Sequence, residues 1–230
     1  MTQTRYAIYW APSPGPLAEF TARWLGWDPH AGRAPQAAGD LPGLPRPQAD
    51  LTDDPRKYGF HGTIKAPFRL SLGRDGDDLA EAVAACCARL DPVSLTGLTL
   101  GADGGFVALR PRAPSPALRD LAQTVVEALD TFRAPLTEAE IARRRPERLT
   151  PGQRDNLVQW GYPYIGDDFH FHLTLTGPVT TDEGRAVIEV LEPRLTPLLP
   201  TPFVIDRLHL FAQRGSGPFV AIGSWSLAGG

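Results

Sequence analysis

The chain has 230 residues, with 23 basic and 26 acidic side chains and a formal net charge of −3. That length suits one large domain or two small lobes, either able to bury a real core, and the acidic balance excludes the broad basic surface that grips extended nucleic acid. The two cysteines, Cys86 and Cys87, are neighbours in a helical pattern, which excludes a disulfide framework and a cysteine metal site; with no apolar signal core in MTQTRYAIYW and no membrane-length apolar run, the expected setting is a reducing cytoplasm.

In chain order, RYAIYWAP reads as a strand stopped by Pro12 and Pro14, and residues 16–26 as a helix ended by Gly26. Residues 28–55, rich in Pro, Gly and Ala, read as one long loop, a lid or a plain insertion. YGFHGTIKAPFRL reads as a strand, and Leu79, Val83, Cys86 or Cys87 and Leu90 give residues 77–90 a helical period. PVSLTGLTL and GFVALRP follow as two strands around a glycine turn. RAPSPA forms a hinge, and Ser115–Pro116 starts a helix striped by Leu118, Leu121, Val125 and Leu129. Residues 137–160 hold two more helical pieces, the second capped by Thr150 and ended by Gly161. FHFHLTLTG is the next strand. Thr180 and Glu183 have capping-box spacing for a helix to about residue 195, and PFVIDRLHLF with PFVAIGSWSL closes the chain as a hairpin.

The two histidine strands match each other. Phe60, His61, Thr63 and Pro67 coincide with Phe171, His172, Thr174 and Pro178; Pro92, Leu98 and Leu100 then match Pro202, Leu208 and Leu210, and FVAL (106–109) matches FVAI (219–222). Three coincidences in one order point to a duplicated strand–helix–strand–strand unit with two lobes, approximately residues 1–112 and 113–230, with strand exchange between lobes left open. A chance likeness between apolar strands is the competing explanation.

Side chains alternate across a strand. Phe169, Phe171, Leu173 and Leu175 therefore share one face and His170, His172, Thr174 and Thr176 the other, while His61, Thr63 and Lys65 lie opposite Phe60, Gly62 and Ile64. Burying such polar groups without partners costs about 1–3 kcal/mol each, so both polar faces are expected to look into a wet cleft. Two imidazoles and two hydroxyls about one centre suit phosphodiester chemistry. A neutral histidine takes a proton from water, a charged one protonates the leaving oxygen, and the threonines donate to the non-bridging oxygens. None of these roles needs a metal, and no cofactor is expected.

The motifs H-G-T-I (61–64) and H-L-T-L (172–175) resemble the paired motifs of the two-histidine (2H) phosphoesterase superfamily, and KYGFHGTIKAPF, WGYPYIGDDFHFHLTLTG and the closing hairpin resemble one bacterial branch of it, labelled as phosphonate-metabolism proteins. The resemblance implies a bilobal, pseudo-symmetric α+β fold of the LigT-like type with the histidines across a central groove, and metal-free hydrolysis or ligation of 2′,5′ or cyclic phosphate bonds. It carries over four catalytic positions, His61, Thr63, His172 and Thr174, with the base and acid roles unassigned.

Further residues are candidates for holding substrate. Lys65 either neutralises phosphate or is a solvated strand end; His170 orients substrate or sits at the rim. Tyr162 and Tyr164 either stack on a base or pack the inter-lobe segment, and Arg154 is an anion clamp or a surface charge. His170, His172 and Asp167 or Asp168 form a weak metal alternative. Tyr6 and Tyr9 read as core, ARRRPER (142–148) as a solvated helix face or at most a site for a phosphate tail, and His30 and His209 as structural. The expected function is a metal-independent cyclic phosphodiesterase acting on a small cyclic nucleotide or ribose phosphate, without membrane or extended nucleic acid as partner. The alternative is a non-catalytic module that holds a nucleotide or RNA end in the same groove.

Overall fold

The structure, a computed structural model, describes residues 4–36, 39–102 and 104–228. Its elements run β1 (Thr4–Trp10), α1 (Pro16–Leu25), α2 (Gln48–Leu51), α3 (Asp53–Arg56), β2 (Gly62–Phe68), α4 (Gly76–Cys87), β3 (Val93–Leu95), β4 (Leu98–Gly101), β5 (Ala108–Pro111), α5 (Pro116–Ala128), α6 (Glu138–Arg143), α7 (Pro151–Trp160), β6 (Leu173–Thr174), α8 (Thr181–Leu195), β7 (Phe203–Ile205), β8 (Arg207–Arg214) and β9 (Phe219–Ser226). Seven strands pair antiparallel in the order β4-β5-β6-β2-β1-β8-β9, and β3 pairs with β7 in a separate ribbon. Helices on an antiparallel sheet make this an α+β fold, as expected.

The helix signals act where the sequence puts them. Ser115 accepts from the Leu118 amide, Thr150 and Thr180 close capping boxes with Gln153 and Glu183, and Gly26 and Gly161 end their helices in the left-handed conformation. The apolar stripes of α4 (Leu79, Val83, Cys86, Cys87) and α8 (Val187, Leu191, Leu195) enter one core.

Three readings need correction. The segment 28–55, apart from residues 37–38, which lie outside the described residues, is not a plain loop: Asp28 bridges Arg33, and α2 and α3 close it. PVSLTGLTL breaks into β3 and β4 at Gly97, whose φ of 136° only glycine adopts without strain, and PFVIDRLHLF breaks likewise into β7 and β8. FHFHLTLTG contributes only two ladder residues, for a reason visible in its hydrogen bonds. The Asp168 and His170 carbonyls accept from histidine rings, and the Leu175 and Thr176 amides both donate to Val107 O, so the ladder is confined to Leu173 and Thr174.

The helices do not pack on their own hairpins. α4, which follows β2, lies against β8 and β9, while α8, which follows β6, lies against β4. Gly62 pairs with Leu173, and Ser94 with Val204. Each of these pairs joins residues that the matching strings of the sequence align with each other.

Candidate active site

β2 is flanked by β1 and β6, so Gly62 faces Trp10 on one side and Leu173 on the other. One step from the Gly62–Leu173 pair, an antiparallel register turns His61 toward Thr174 and Thr63 toward His172. The two histidines are then near enough for the charge of His172 to act on His61. Glycine at position 62 is a packing requirement, because a Cβ there would lie 2.3 Å from the Phe171 ring and 3.0 Å from Leu173. The alternation reads out as burial: Phe60, Ile64, Phe171, Leu173 and Leu175 are buried, and His61, Thr63, His172 and Thr174 are half-buried.

Both histidines are held in the same way. His61 Nδ1 lies 2.9 Å from Gly59 O and His172 Nδ1 lies 2.7 Å from His170 O, in each case the carbonyl two residues back. A carbonyl only accepts, so Nδ1 carries the proton and Nε2 is left for chemistry. His61 is packed against Tyr9, with ring centroids 4.0 Å apart, and Tyr58, at 5.6 Å. Burial, reinforced by the charge of His172, brings its pKa down to about 4 against the pull of the Gly59 carbonyl. His172 lies beside Phe106, at 5.6 Å, and is lowered too, by burial first and then by the charges of Arg110 and His170. Arg110 spans the Phe106 ring at 5.2 Å and donates to Gly101 O.

Two adjoining cavities meet at this strand pair. One, of about 720 Å³, is lined by His61, Thr63, Thr174, Tyr9, Tyr58 and Arg144. The other, of about 730 Å³, is lined by His170, His172, Lys65, Tyr164, Arg110 and again Thr63. Thr63, Phe106 and Tyr162 belong to both walls, so the two cavities adjoin along these residues, with His61 on one and His172 on the other. Among the described residues no three His, Cys, Asp or Glu side chains cluster as metal ligands.

The substrate-holding candidates divide. Tyr162 lies at the junction of the two cavities, edge-on to Tyr164 at 5.5 Å, and Tyr164 is half-exposed in the larger one. His170 is an exposed rim residue, its Nδ1 2.9 Å from Asp168 O. Lys65 borders the larger cavity but is only 3% exposed. Its ammonium donates to Val126 O at 3.0 Å and Asp130 at 3.3 Å, and burial lowers its pKa to about 8; it is neither a solvated strand end nor turned to open solvent. Arg154 is a correction. α7 carries it into a separate depression with Leu136, Ile141 and Val158, where it donates to Leu149 O, and it lines neither histidine cavity. Gln153, one residue earlier, takes the cavity-facing position.

The sequence reading missed Tyr9, Tyr58 and Arg144. Tyr9 was assigned to the core and is buried, yet its ring lies against His61. A tyrosine in a strand buried on both faces needs somewhere to put its hydroxyl, which was the available signal. Arg144 was hidden in a run of arginines. Its neighbours Arg143, Arg145 and Arg148 are exposed, while Arg144 is half-buried, with Cζ 5.0 Å from the Tyr162 ring centroid.

Comparison with known proteins gives the family. The family model described as "Protein of unknown function (DUF1045)" matches residues 63–220, and the chain belongs to this family, a domain-of-unknown-function family as the resemblance implied. Two curated relatives carry the name "Ribose 1,5-bisphosphate phosphokinase PhnN". That of Janthinobacterium sp. (strain Marseille) is 34% identical over 226 residues, covering 95% of this chain and 50% of that protein. That of Laribacter hongkongensis (strain HLHK9) is 32% identical over 182 residues, covering 75% and 40%. The chain thus spans half or less of the length of these relatives. Among solved structures, E. coli LigT complexed with ATP aligns over 99% of both chains at 16% identity and TM-score 0.42, and a structure titled as a phosphoesterase over 99% of both at 17% and 0.44.

Proposed function

We propose that this chain is a metal-independent cyclic phosphodiesterase that opens a small cyclic ribose phosphate or nucleotide to a phosphomonoester. One observation carries the reading: two histidines at matching positions, each with Nδ1 tied to the carbonyl two residues back, so that Nε2 is the nitrogen left for chemistry, and each with a threonine two residues on. His61, packed among aromatic rings, is the base. It takes a proton from water as the water oxygen bonds to phosphorus. The bond from phosphorus to one ring oxygen breaks, and His172 gives that oxygen its proton. The phosphate anion, arriving between the imidazoles, raises the pKa of His172 and so supplies the charged form. Thr63 and Thr174 donate to the non-bridging oxygens as charge builds there. One proton is gained at His61 and one lost at His172, and exchange with solvent restores both.

The printed name of the curated relatives, which refers to ribose 1,5-bisphosphate, supports a ribose phosphate as the substrate class. We place the activity in phosphonate metabolism, the context that the sequence resemblance implies, and in the cytoplasm, a reading supported by the two buried free cysteines. No helix among the described residues is long and apolar enough to cross a membrane.

The test is turnover of a panel of cyclic phosphates, ribose 1,2-cyclic and nucleoside 2′,3′-cyclic forms included, in excess chelator. His61→Ala and His172→Ala are each expected to lose at least about a hundredfold in kcat. Full activity in either single variant ends the mechanism. Tight calorimetric binding by the wild type with no turnover over hours would instead favour a binding module.

A further inference from the structure

The charge around His61 is opposite in sign to that of the chain. The protein carries a formal charge of −3, yet the cavity holding His61 is bordered by Arg5, Lys57 and Arg144 against one carboxylate, Asp54, among the described residues. These cations are not equivalent. Arg5 is bound to Gln213 through Nε at 2.8 Å, and Lys57 is exposed with Nζ 5.3 Å from the Tyr58 centroid. Arg144 is half-buried at the cavity wall, and its contact there is with the face of Tyr162, a neutral partner that leaves the guanidinium edge and its donors available among the described residues.

The chain works to put Arg144 there. α6 is anchored by Arg69, which donates to Glu140 at 3.0 and 2.7 Å and to Pro135 O at 2.6 Å. Just past the helix, Arg145 adopts φ 49°, the only positive φ on a non-glycine among the described residues, and the chain reverses into the turn at Pro146. The left-handed conformation is a strained one for arginine. Residues 144 and 145 therefore part company, one toward the cavity and the other toward solvent.

From this placement we propose that Arg144 binds a second anionic group on the substrate, a phosphate monoester or a carboxylate, away from the scissile cyclic phosphate held by the histidines. The substrate class becomes a cyclic phosphate that bears a further negative charge. The inference rests on the proposed phosphodiesterase reading for the location of the first phosphate. A guanidinium presents paired donors to such a group, whereas a neutral substrate tail would leave this charge with only a ring face.

The experiment uses a matched pair, ribose 1,2-cyclic phosphate with and without a 5-phosphate, and reads the ratio of their kcat/KM values. The wild type is expected to favour the doubly charged member by about tenfold or more, the scale of one charge-assisted hydrogen-bonded pair. Arg144→Gln is expected to bring the ratio near unity, Arg144→Lys to restore part of it, and Arg148→Gln, an exposed arginine of the same segment, to leave it unchanged. A wild-type ratio near unity, or an Arg144→Gln protein that retains the wild-type ratio, overturns the proposal. If neither compound is turned over, the phosphodiesterase reading fails for this class, and the anion site is read by calorimetry with ribose 5-phosphate. Binding that Arg144→Gln abolishes and Arg148→Gln does not upholds the site; no binding, or equal binding by all three proteins, removes it.

Discussion

At His61 burial among aromatic rings and the charge of His172 outweigh the opposing pull of the Gly59 carbonyl and leave a neutral imidazole over most of the working pH range. Its ordinary pKa of 6.5 falls to about 4, and that of His172 falls in the same direction. If His61 must be neutral and His172 charged, kcat/KM rises through the first value and falls through the second. The bell should peak on the acid side of pH 6.5, and the kcat profile should lie at higher pH because bound phosphate favours both charged forms. A kcat/KM maximum above pH 8 contradicts this assignment. Gly62 provides a second residue-scale expectation. With the Phe171 ring 2.3 Å from where a Cβ would stand, Gly62→Ala should destabilise by roughly 1–3 kcal/mol in denaturant unfolding, against little effect at Gly152, where nothing lies within 4 Å. The His–Thr pattern was legible in the sequence because a period of two is a property of the strand itself. Tyr9 and Arg144 were not, since what a core tyrosine touches, and which arginine in a run turns inward, depend on neighbours distant in the chain.

At the scale of elements, caps and stripes were readable because they act within a few residues. The placement of Arg154 was not: α7 lacks a marked apolar face, so its rotation about its axis is set by what packs on it, and only Leu157 is buried among its residues. Strand β8 holds a titratable group that the mechanism does not use. His209 is 2% exposed, its Nδ1 has no hydrogen-bond partner among the described residues, and its ring meets His30 edge-on at 5.2 Å. Burial, then the charges of His30 and Arg207, lower its pKa from 6.5 to about 4, outweighing the Tyr9 backbone. The folded state therefore disfavours the proton that the unfolded chain accepts, and stability should fall as pH drops from about 6.5 to 4, by up to roughly 3 kcal/mol for this group. Comparing unfolding free energies across that window, His209→Gln should show a shallower slope; an unchanged slope would assign the acid sensitivity elsewhere.

For the whole molecule, we infer a duplicated unit, β2–α4–β3–β4–β5 and β6–α8–β7–β8–β9, with the hairpins exchanged. Equivalent residues pair with each other at Gly62–Leu173 and Ser94–Val204, which is the signature of a local two-fold axis passing between the motifs. Each helix packs on the hairpin supplied by the other half of the sequence. The matching strings that suggest a repeat are local and legible in the chain, whereas an exchange leaves no local trace, because its pairing partners lie more than a hundred residues apart. It follows that residues 1–112 and 113–230, expressed separately, should each lack a cooperative unfolding transition and should regain one when mixed. A half that unfolds cooperatively by itself would refute the exchange. The central claim concerns the groove on that axis, and the most direct measurement is phosphorus NMR of ribose 1,2-cyclic phosphate incubated with chelator-treated protein in ¹⁸O-labelled water. The account predicts a phosphomonoester carrying one labelled oxygen on phosphorus, formed by the wild type and by neither single histidine variant. Absence of monoester, or label on the sugar hydroxyl instead of phosphorus, would contradict it.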